Sequence, residues 1–277
     1  MKVLIAADEL LGTEPPPRLL DVRWALGDDR GHERYLEAHL PGAVFVDLER
    51  ELADPPSPEG GRHPLPSLQR LQDTARRWGI RTGDRVVVYD DTGGAAAARA
   101  WWLLRWAGLA DVRLLDGGLA AWQRHGGAVE AGQVVADPGD VVLTGGGMPT
   151  LTLEEAAALP AAGGLLLDAR AGERYRGEVE PIDPRAGHVP GAVSAPTTQN
   201  LAGDGTFLPV AALSERFAAL GAAPGRTVGV YCGSGVTAAH EVAALAEAGI
   251  DAALWPGSWS QWSADPARPA ATGAEPG

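Results

Sequence analysis

The sequence feature that most constrains the fold is an internal duplication, because four short segments occur twice in the same order. In the first half they read LLDVR, AHLPGAV, DRVVVYD and LLDGGLAAW, and in the second half LLDAR, GHVPGAV, RTVGVYC and LWPGSWSQW. Each copy is about as long as one small domain, and two copies are too few for a repeat solenoid. We therefore predict two domains, residues 1–140 and 150–277, joined by a Gly- and Pro-rich linker within residues 130–150.

Short apolar runs alternate with helical patterns inside each copy. In the second copy the apolar runs read LLLDAR, AVSAP, TVGVYC and AALW, and turn-forming residues bound them. Such runs are typical of strands buried on both faces of a parallel sheet. Helical segments such as TAAHEVAALAEAG lie between them. The alternation predicts an α/β fold in which each domain is a mainly parallel sheet flanked by helices.

Composition and charge exclude several functional classes. The 277 residues carry a formal net charge of -13, which argues against nucleic acid or an anionic membrane surface as a partner. The apolar stretch near the start is too short for a signal peptide, and apolar runs fall short of the roughly 20 residues that cross a bilayer. The single cysteine, Cys232, excludes an intramolecular disulfide and a cysteine-cluster metal site. We therefore expect a soluble cytoplasmic protein.

Cys232 lies at the end of a predicted strand and just before a helix that starts near Val236. Ligands bind at this edge of a parallel sheet. The glycines of CGSGVT allow a tight turn, and the N-terminus of a helix favours negative charge, so the loop should stabilise a reactive thiolate. A small buried hydrophobe is the alternative. Asp90 holds the corresponding place in the first copy, so the fold does not require cysteine there and only the second copy is expected to be catalytic.

Two classes of cysteine enzyme fit this loop poorly. Cysteine phosphatases need an arginine six residues after the cysteine to bind the phosphoryl group, and Ala238 stands there. Papain-like and caspase-like proteases need different residues around the cysteine.

The motifs LLDAR, GHVPGA, CGSGVTA and GSWSQW in the second copy, with HLPGA and DGGLAAW in the first, resemble the tandem-domain rhodanese-like sulfurtransferases. This family comprises thiosulfate and 3-mercaptopyruvate sulfurtransferases, and the resemblance covers nearly the whole chain. It implies that Cys232 takes a sulfur atom from a small anionic donor as a persulfide. A thiol, a thioredoxin-like protein or cyanide would then accept the sulfur, and no metal or organic cofactor is implied.

The residues after Cys232 bear on the donor. Thiosulfate-preferring members commonly carry two basic residues there, whereas this chain has Gly233 and Ser234, so the resemblance favours 3-mercaptopyruvate. In that reading Ser234 polarises the donor, although a plain turn serine is the alternative. The backbone amides of the loop would hold the persulfide, and they belong to Gly233, Gly235, Val236 and Thr237.

Four further residues follow from the same resemblance. Family members place substrate-binding arginines in the segment RYRGEVEPIDPR, which implies that Arg176 and Arg185 bind the donor carboxylate. Ion pairs with nearby acids are the alternative for both. The segment GRHPLP resembles the family's histidine loop, so His63 would assist proton transfer, oriented by Asp47.

Other residues and other functions remain open. His39 and His188 recur beside Pro-Gly in both copies and are interpreted as structural turn residues. Trp259 could line the pocket or pack in the core. The rival functions are the same enzyme with a preference for thiosulfate, and a non-catalytic sulfur carrier or thiol sensor.

Overall fold

The computed structural model describes residues 2–223 and 225–277, so the first residue of the predicted domain 1–140 lies outside the described residues. The chain forms two compact units. The first unit runs up to Asp54 and adds Pro66–Met148 and Ala202–Phe207. The second unit comprises Pro55–Leu65, Pro149–Leu201 and Leu208–Gly277. Each half of the sequence therefore donates a short segment to the unit built mainly from the other half.

The first unit is a parallel sheet of five strands in the order β1-β5-β4-β2-β3. The strands are β1 (Leu4–Ile5), β2 (Arg18–Asp21), β3 (Val44–Phe45), β4 (Val86–Tyr89) and β5 (Val112–Leu115). The helices are α1 (Ala7–Leu11), α2 (Gly31–Glu37), α3 (Leu48–Glu51), α4 (Leu68–Arg77), α5 (Ala97–Trp106) and α6 (Gly118–Arg124). The four residues of β4, VVVY, are all buried, as expected for a central strand covered on both faces.

The second unit repeats this arrangement with four parallel strands in the order β7-β6-β8-β9. The strands are β6 (Leu165–Asp168), β7 (Val193–Ser194), β8 (Val228–Tyr231) and β9 (Ala253–Leu254). The helices are α7 (Leu153–Ala158), α8 (Gly172–Tyr175), a 3-10 helix (Thr197–Asn200), α9 (Val210–Ala219), α10 (Thr237–Glu247) and α11 (Ser258–Ala264). Read from the other edge, this order matches β5-β4-β2-β3, so the duplication seen in the sequence is a duplication of topology. The predicted parallel sheets flanked by helices are confirmed.

The tyrosines that end the two central strands fix the same turn in each unit. The hydroxyl of Tyr89 accepts the backbone N–H of Leu40 at 2.9 Å, and the hydroxyl of Tyr231 accepts that of Val189 at 3.1 Å. Both acceptor oxygens are buried, so each satisfies a turn N–H that water cannot reach.

The histidines of the two Pro-Gly turns also have matching contacts. Nδ1 of His39 lies 2.8 Å from the carbonyl oxygen of Tyr35, and Nδ1 of His188 lies 2.8 Å from that of Tyr175. Each imidazole stacks on the same tyrosine, with ring centroids 4.2 and 3.7 Å apart. These buried contacts support the interpretation of both histidines as structural turn residues.

None of the helices in the described part of the chain combines the length and the apolar character that a bilayer crossing requires.

Candidate active site

Cys232 directly follows β8, the strand between β6 and β9, at the carboxyl edge of the second sheet. The residue is 2% exposed, and its Sγ accepts the backbone N–H of Gly235 at 3.1 Å. Gly235 has a φ of +77°, which a residue with a side chain rarely adopts, so glycine is needed to turn this N–H back toward the sulfur. The helix α10 begins two residues later at Thr237. The loop therefore directs the N–H dipole of Gly235 at the sulfur, just before the N-terminus of α10.

The corresponding loop of the first unit is already filled by an anion. Asp90 follows β4 and is completely buried, and its carboxylate accepts four backbone N–H groups at 2.8 to 3.0 Å. The donors are Thr92, Gly94, Ala96 and Ala97. Burial raises the pKa of the Asp90 carboxyl, and the four amide donors oppose that rise. The loop after the central strand is thus an amide cradle for an anion in the first unit, with no sulfur in it.

The start of α11 holds the Cys232 loop in place. Ser258 Oγ accepts the backbone N–H of Cys232 at 3.1 Å. The backbone N–H groups of Trp259 and Ser260 donate to the carbonyls of Cys232 and Gly233, at 3.0 and 2.8 Å. Ser258 has a φ of +53°, a strained conformation for a residue with a side chain, and its hydroxyl contact compensates for that strain.

The histidine loop docks on the same helix start. Although it comes from the first half of the sequence, Pro55–Leu65 belongs to the second unit. The backbone N–H of Arg62 donates to Ser260 Oγ at 3.0 Å. A Cβ added at Gly61 would lie 2.6 Å from the carbonyl oxygen of Gly257, so only glycine permits this approach. One short segment of α11 therefore positions both loops of the site.

The structure brings two of the predicted catalytic residues together. Nδ1 of His63 lies 2.7 Å from Oγ of Ser234, and the two residues are 2% and 5% exposed. Ser234 is two residues after Cys232, so a proton relay can reach the loop that carries the sulfur. Asp47 lies in the first unit, where it is the N-cap of α3 and its side chain accepts the N–H of Arg50. Its role in orienting His63 stays a prediction.

The two arginines predicted to bind the donor have other partners. Arg176 is paired with Glu178 through two hydrogen bonds of 2.7 and 2.8 Å. Arg185 donates to four carbonyl oxygens at the C-terminal end of α11, at 2.7 to 3.1 Å; they belong to Trp262, Ser263, Asp265 and Arg268. Trp262 and Ser263 belong to the last turn of α11, and Asp265 and Arg268 follow the helix, so Arg185 acts as a cap for the C-terminal end of α11. Arg176 thus forms the ion pair with a nearby acid that the sequence left open as the alternative, whereas the capping contacts of Arg185 were not among the sequence-based interpretations.

Two different arginines lie beside the Cys232 loop. A Cβ added at Gly233 would lie 3.1 Å from Nη2 of Arg62, and 3.5 and 3.8 Å from Nη1 and Nη2 of Arg174. Arg62 is adjacent to His63, and Arg174 is on α8. Two guanidinium groups therefore converge on the residue that follows the cysteine.

These two arginines belong to a row of six alternating charges that ends at Arg62. In order, the row is Asp168, Arg170, Glu180, Arg174, Asp183 and Arg62, with N–O distances of 2.6, 3.4, 2.6, 3.3 and 2.6 Å. The side chains of the three acids are 0 to 4% exposed, whereas those of Arg174 and Arg62 are 16% and 23% exposed. The row therefore has a buried negative end at Asp168 and a more accessible positive end at Arg62.

Arg170 connects this row to the core. Burial by itself would lower the pKa of its guanidinium, but the ion pairs with Asp168 and Glu180 raise that pKa above its ordinary value. The guanidinium also lies 4.7 Å from the ring centroid of Trp259, which is completely buried. Trp259 is therefore a core residue and a support for Arg170.

Sequence reasoning missed Arg62, Arg174, Ser258 and Ser260. Arg62 stands next to a histidine already assigned to the site, and that position was the available signal. Among the described residues, no group of three or more His, Cys, Asp or Glu side chains is arranged to hold a metal ion.

Comparison with known proteins identifies the family and the fold. The family model for the rhodanese-like domain matches residues 6–125 and 152–265. The chain is 54% identical over 280 residues to "Putative thiosulfate sulfurtransferase SseB" of Mycobacterium tuberculosis, with 98% of both chains covered. It is 50% identical over 285 residues to "Probable 3-mercaptopyruvate sulfurtransferase" of Pseudomonas aeruginosa, again with 98% of both covered. The crystal structure of SseA from Escherichia coli, a 3-mercaptopyruvate sulfotransferase with the rhodanese fold, matches with a TM-score of 0.83 and 32% identity over 94% of this chain and 100% of that one.

The chain belongs to the rhodanese-like family and carries two copies of its domain. The prediction of a tandem rhodanese-like sulfurtransferase is thereby confirmed for the family, the fold and the class of enzyme.

Proposed function

We propose that this chain is a 3-mercaptopyruvate sulfurtransferase that carries the transferred sulfur as a persulfide on Cys232. The observation that carries the proposal is the arrangement around the sulfur. Cys232 Sγ accepts an amide N–H within a buried loop, and the Ser234–His63 pair and two guanidinium groups lie next to that loop.

In the first half-reaction the Cys232 thiolate attacks the sulfur of the donor. The new S–S bond forms as the C–S bond of 3-mercaptopyruvate breaks, and the electron pair of that bond remains on the carbon as the enolate of pyruvate. The thiol proton of the donor ends on this carbon. The products are pyruvate and a Cys232 persulfide anion, so atoms and charge balance.

Ser234 and His63 would manage charge and proton in this step. The keto oxygen of the donor gains negative charge as the C–S bond breaks, and a hydroxyl donor such as Ser234 stabilises it. His63, 2.7 Å from that hydroxyl, can take up the thiol proton and return it to the carbon. The 3.1 Å contact between the Gly235 amide and Sγ supports assigning the loop amides of Gly233, Gly235, Val236 and Thr237 to the persulfide.

Arg174 is the arginine that we assign to the donor carboxylate. It lies in the same segment as Arg176 and Arg185, and its guanidinium lies beside Gly233. All three arginines have partners in this structure, Arg174 pairing with Glu180 and Asp183, so the assignment rests on the position of Arg174 beside Gly233.

In the second half-reaction an acceptor attacks the outer sulfur and the Cys232 thiolate leaves. A small thiol, a thioredoxin-like protein or cyanide would serve. The free thiol of Cys232 also fits a cytoplasmic location, where thiols stay reduced.

Thiosulfate is the second candidate donor. The relative that is 54% identical bears the name of a thiosulfate sulfurtransferase, and two guanidinium groups beside Gly233 suit a dianion. In this case the S–S bond of thiosulfate breaks, sulfite leaves, and the same persulfide forms.

The intact mass of the protein after incubation with each donor tests the proposal. We expect a gain of one sulfur atom on the native chain and none on Cys232→Ser. We also expect a higher kcat/KM for pyruvate release from 3-mercaptopyruvate than for sulfite release from thiosulfate. The opposite preference would assign the chain to thiosulfate, and an unmodified native chain with both donors would refute persulfide chemistry.

A further inference from the structure

We propose that Arg62 is a donor-binding residue, and that Asp183 positions its guanidinium beside Gly233 to receive the anionic group of the donor. The inference rests on the sulfurtransferase function proposed above and identifies a further residue that determines its specificity. Arg62 comes from the histidine loop, so this loop would supply a charge for binding as well as the imidazole for proton transfer.

The guanidinium of Arg62 has one edge held by Asp183 and a second edge, formed by Nε and Nη2, whose Nε lacks an acceptor among the described residues. Nη1 donates to Asp183 Oδ1 at 2.6 Å. Nη2 points toward the place where a side chain at residue 233 would begin, 3.1 Å from an added Cβ. Nε is buried and has no hydrogen-bond partner among the described residues. A buried N–H of a cation without an acceptor is unfavourable, so a ligand that supplies an acceptor would bind favourably at this edge.

The geometry of guanidinium identifies the class of that ligand. Nε–H and the outward N–H of Nη2 are parallel donors on one edge of the planar group, and a carboxylate accepts such a pair in bidentate fashion. Asp183 occupies the other edge. The edge of Arg62 formed by Nε and Nη2 therefore fits a carboxylate, as in an α-keto acid, and its Nη2 lies beside the residue that follows Cys232.

Asp183 holds both guanidinium groups that face Gly233. Its side chain is 3% exposed, with Oδ1 on Arg62 and Oδ2 3.3 Å from Arg174. Arg174 also pairs with Glu180 at 2.6 Å, so Asp183 is shared between two cations and the accessible end of the charge row is the cation Arg62. The backbone of Arg62 is fixed as well, because its N–H donates to Ser260 Oγ.

The absence of a side chain at Gly233 leaves space for the donor. A Cβ there would already be within 3.1 Å of Arg62, so larger side chains would displace the guanidinium or fill the position of the anion. A donor anion in this space would lie between two arginines and one residue away from the attacking sulfur.

The test compares a charged donor with its neutral analogue. 3-Mercaptopyruvate carries the carboxylate, and mercaptoacetone has a methyl group in its place while keeping the keto and thiol groups. We expect Arg62→Met to raise KM for 3-mercaptopyruvate by about 10- to 100-fold, the value of a charged hydrogen-bonded pair, with kcat changed much less. With mercaptoacetone the same variant should behave like the native chain, and Arg62→Lys should be intermediate with the charged donor.

Arg30→Met is the matched control, because it removes one positive charge from a side chain that is 70% exposed in the first unit. It should leave KM for both donors unchanged. Asp183→Asn tests positioning and should raise KM for 3-mercaptopyruvate alone. A fall in that KM would show that Asp183 opposes donor binding, and would overturn its positioning role.

Two results would overturn the role of Arg62. An unchanged KM for 3-mercaptopyruvate in Arg62→Met would show that Arg62 does not bind the donor. An equal loss with both donors would show that Arg62 only holds the His63 loop. Failure of the native chain to transfer sulfur from either donor would instead refute the proposed function, so the two failures are distinguishable.

Discussion

At the scale of single residues, the two copies differ in the side chain that ends the central strand, which is Asp90 in the first unit and Cys232 in the second. Both central strands end in a loop that precedes a helix, and in both loops the side chain at the strand end accepts backbone N–H groups. Asp90 brings its own carboxylate and satisfies four N–H groups, so the loop in the first unit is complete without a ligand. Cys232 instead places a sulfur there, which can become an anion and can accept a second sulfur.

Asp90 is therefore expected to be a structural anion. Asp90→Ala leaves four N–H groups without their acceptor, three of them in buried contacts, and should lower the free energy of unfolding by about 3 kcal/mol or more. Asp90→Asn keeps one acceptor oxygen and should have a smaller effect. Chemical denaturation of the three proteins measures this. Equal stability of the alanine variant and the native chain would show that water replaces the carboxylate.

At the scale of the element, α11 is the helix that organises the site. Its first turn holds the Cys232 loop through Ser258 and the histidine loop through Ser260. Its last turn is capped by Arg185. A helix of seven residues has little stability of its own, so these end contacts determine whether it stays in place.

Arg185→Met is expected to affect stability more than donor binding. The substitution leaves four carbonyls at the end of α11 without a cationic donor, and should lower the free energy of unfolding by about 2 kcal/mol. KM for 3-mercaptopyruvate should change less than threefold, well below the effect of about a factor of ten or more that loss of a charged contact to the donor would have. Thermal denaturation and steady-state kinetics on the same sample measure both quantities. A large rise in KM at native stability would restore the sequence-based assignment of Arg185 to the substrate.

At the scale of the whole molecule, the exchange of segments decides which part of the chain is a complete unit. The second sequence repeat lacks Pro55–Leu65, which carries Arg62 and His63. Without that loop, Ser234, Ser260 and Asp183 all lose partners that they have in the second unit.

A fragment of residues 149–277 is therefore expected to be an incomplete enzyme. It should lose at least about 100-fold in kcat/KM, because general acid–base assistance alone contributes that much. Fusing residues 55–65 to its N-terminus through a flexible Gly-Ser linker should raise its free energy of unfolding by about 1 to 3 kcal/mol. Denaturation and turnover of the two fragments provide the comparison. Native activity in the shorter fragment would show that the histidine loop is dispensable.

Much of the fold and part of the site were accessible from the sequence. The apolar runs predicted β6, β7, β8 and β9, and the Gly-rich segment after TVGVYC placed Cys232 at the end of the central strand. The arginines were not accessible in the same way. Arg174 and Arg176 are two residues apart, so on a helical turn they point about 200° away from each other, and only one can face the loop.

What the sequence determined by itself is the duplication, the parallel sheets and the position of Cys232 at the end of the central strand. Periodic apolar runs and glycine turns act over a few residues, so their consequences can be read locally. What only the tertiary structure decided is which charged side chains lie beside the Cys232 loop. Arg62 reaches Gly233, Arg185 turns away to cap α11, and Asp183 holds two guanidinium groups. These pairings join residues far apart in the chain through long side chains, and burial and geometry in the folded protein select one partner among many acids and carbonyls.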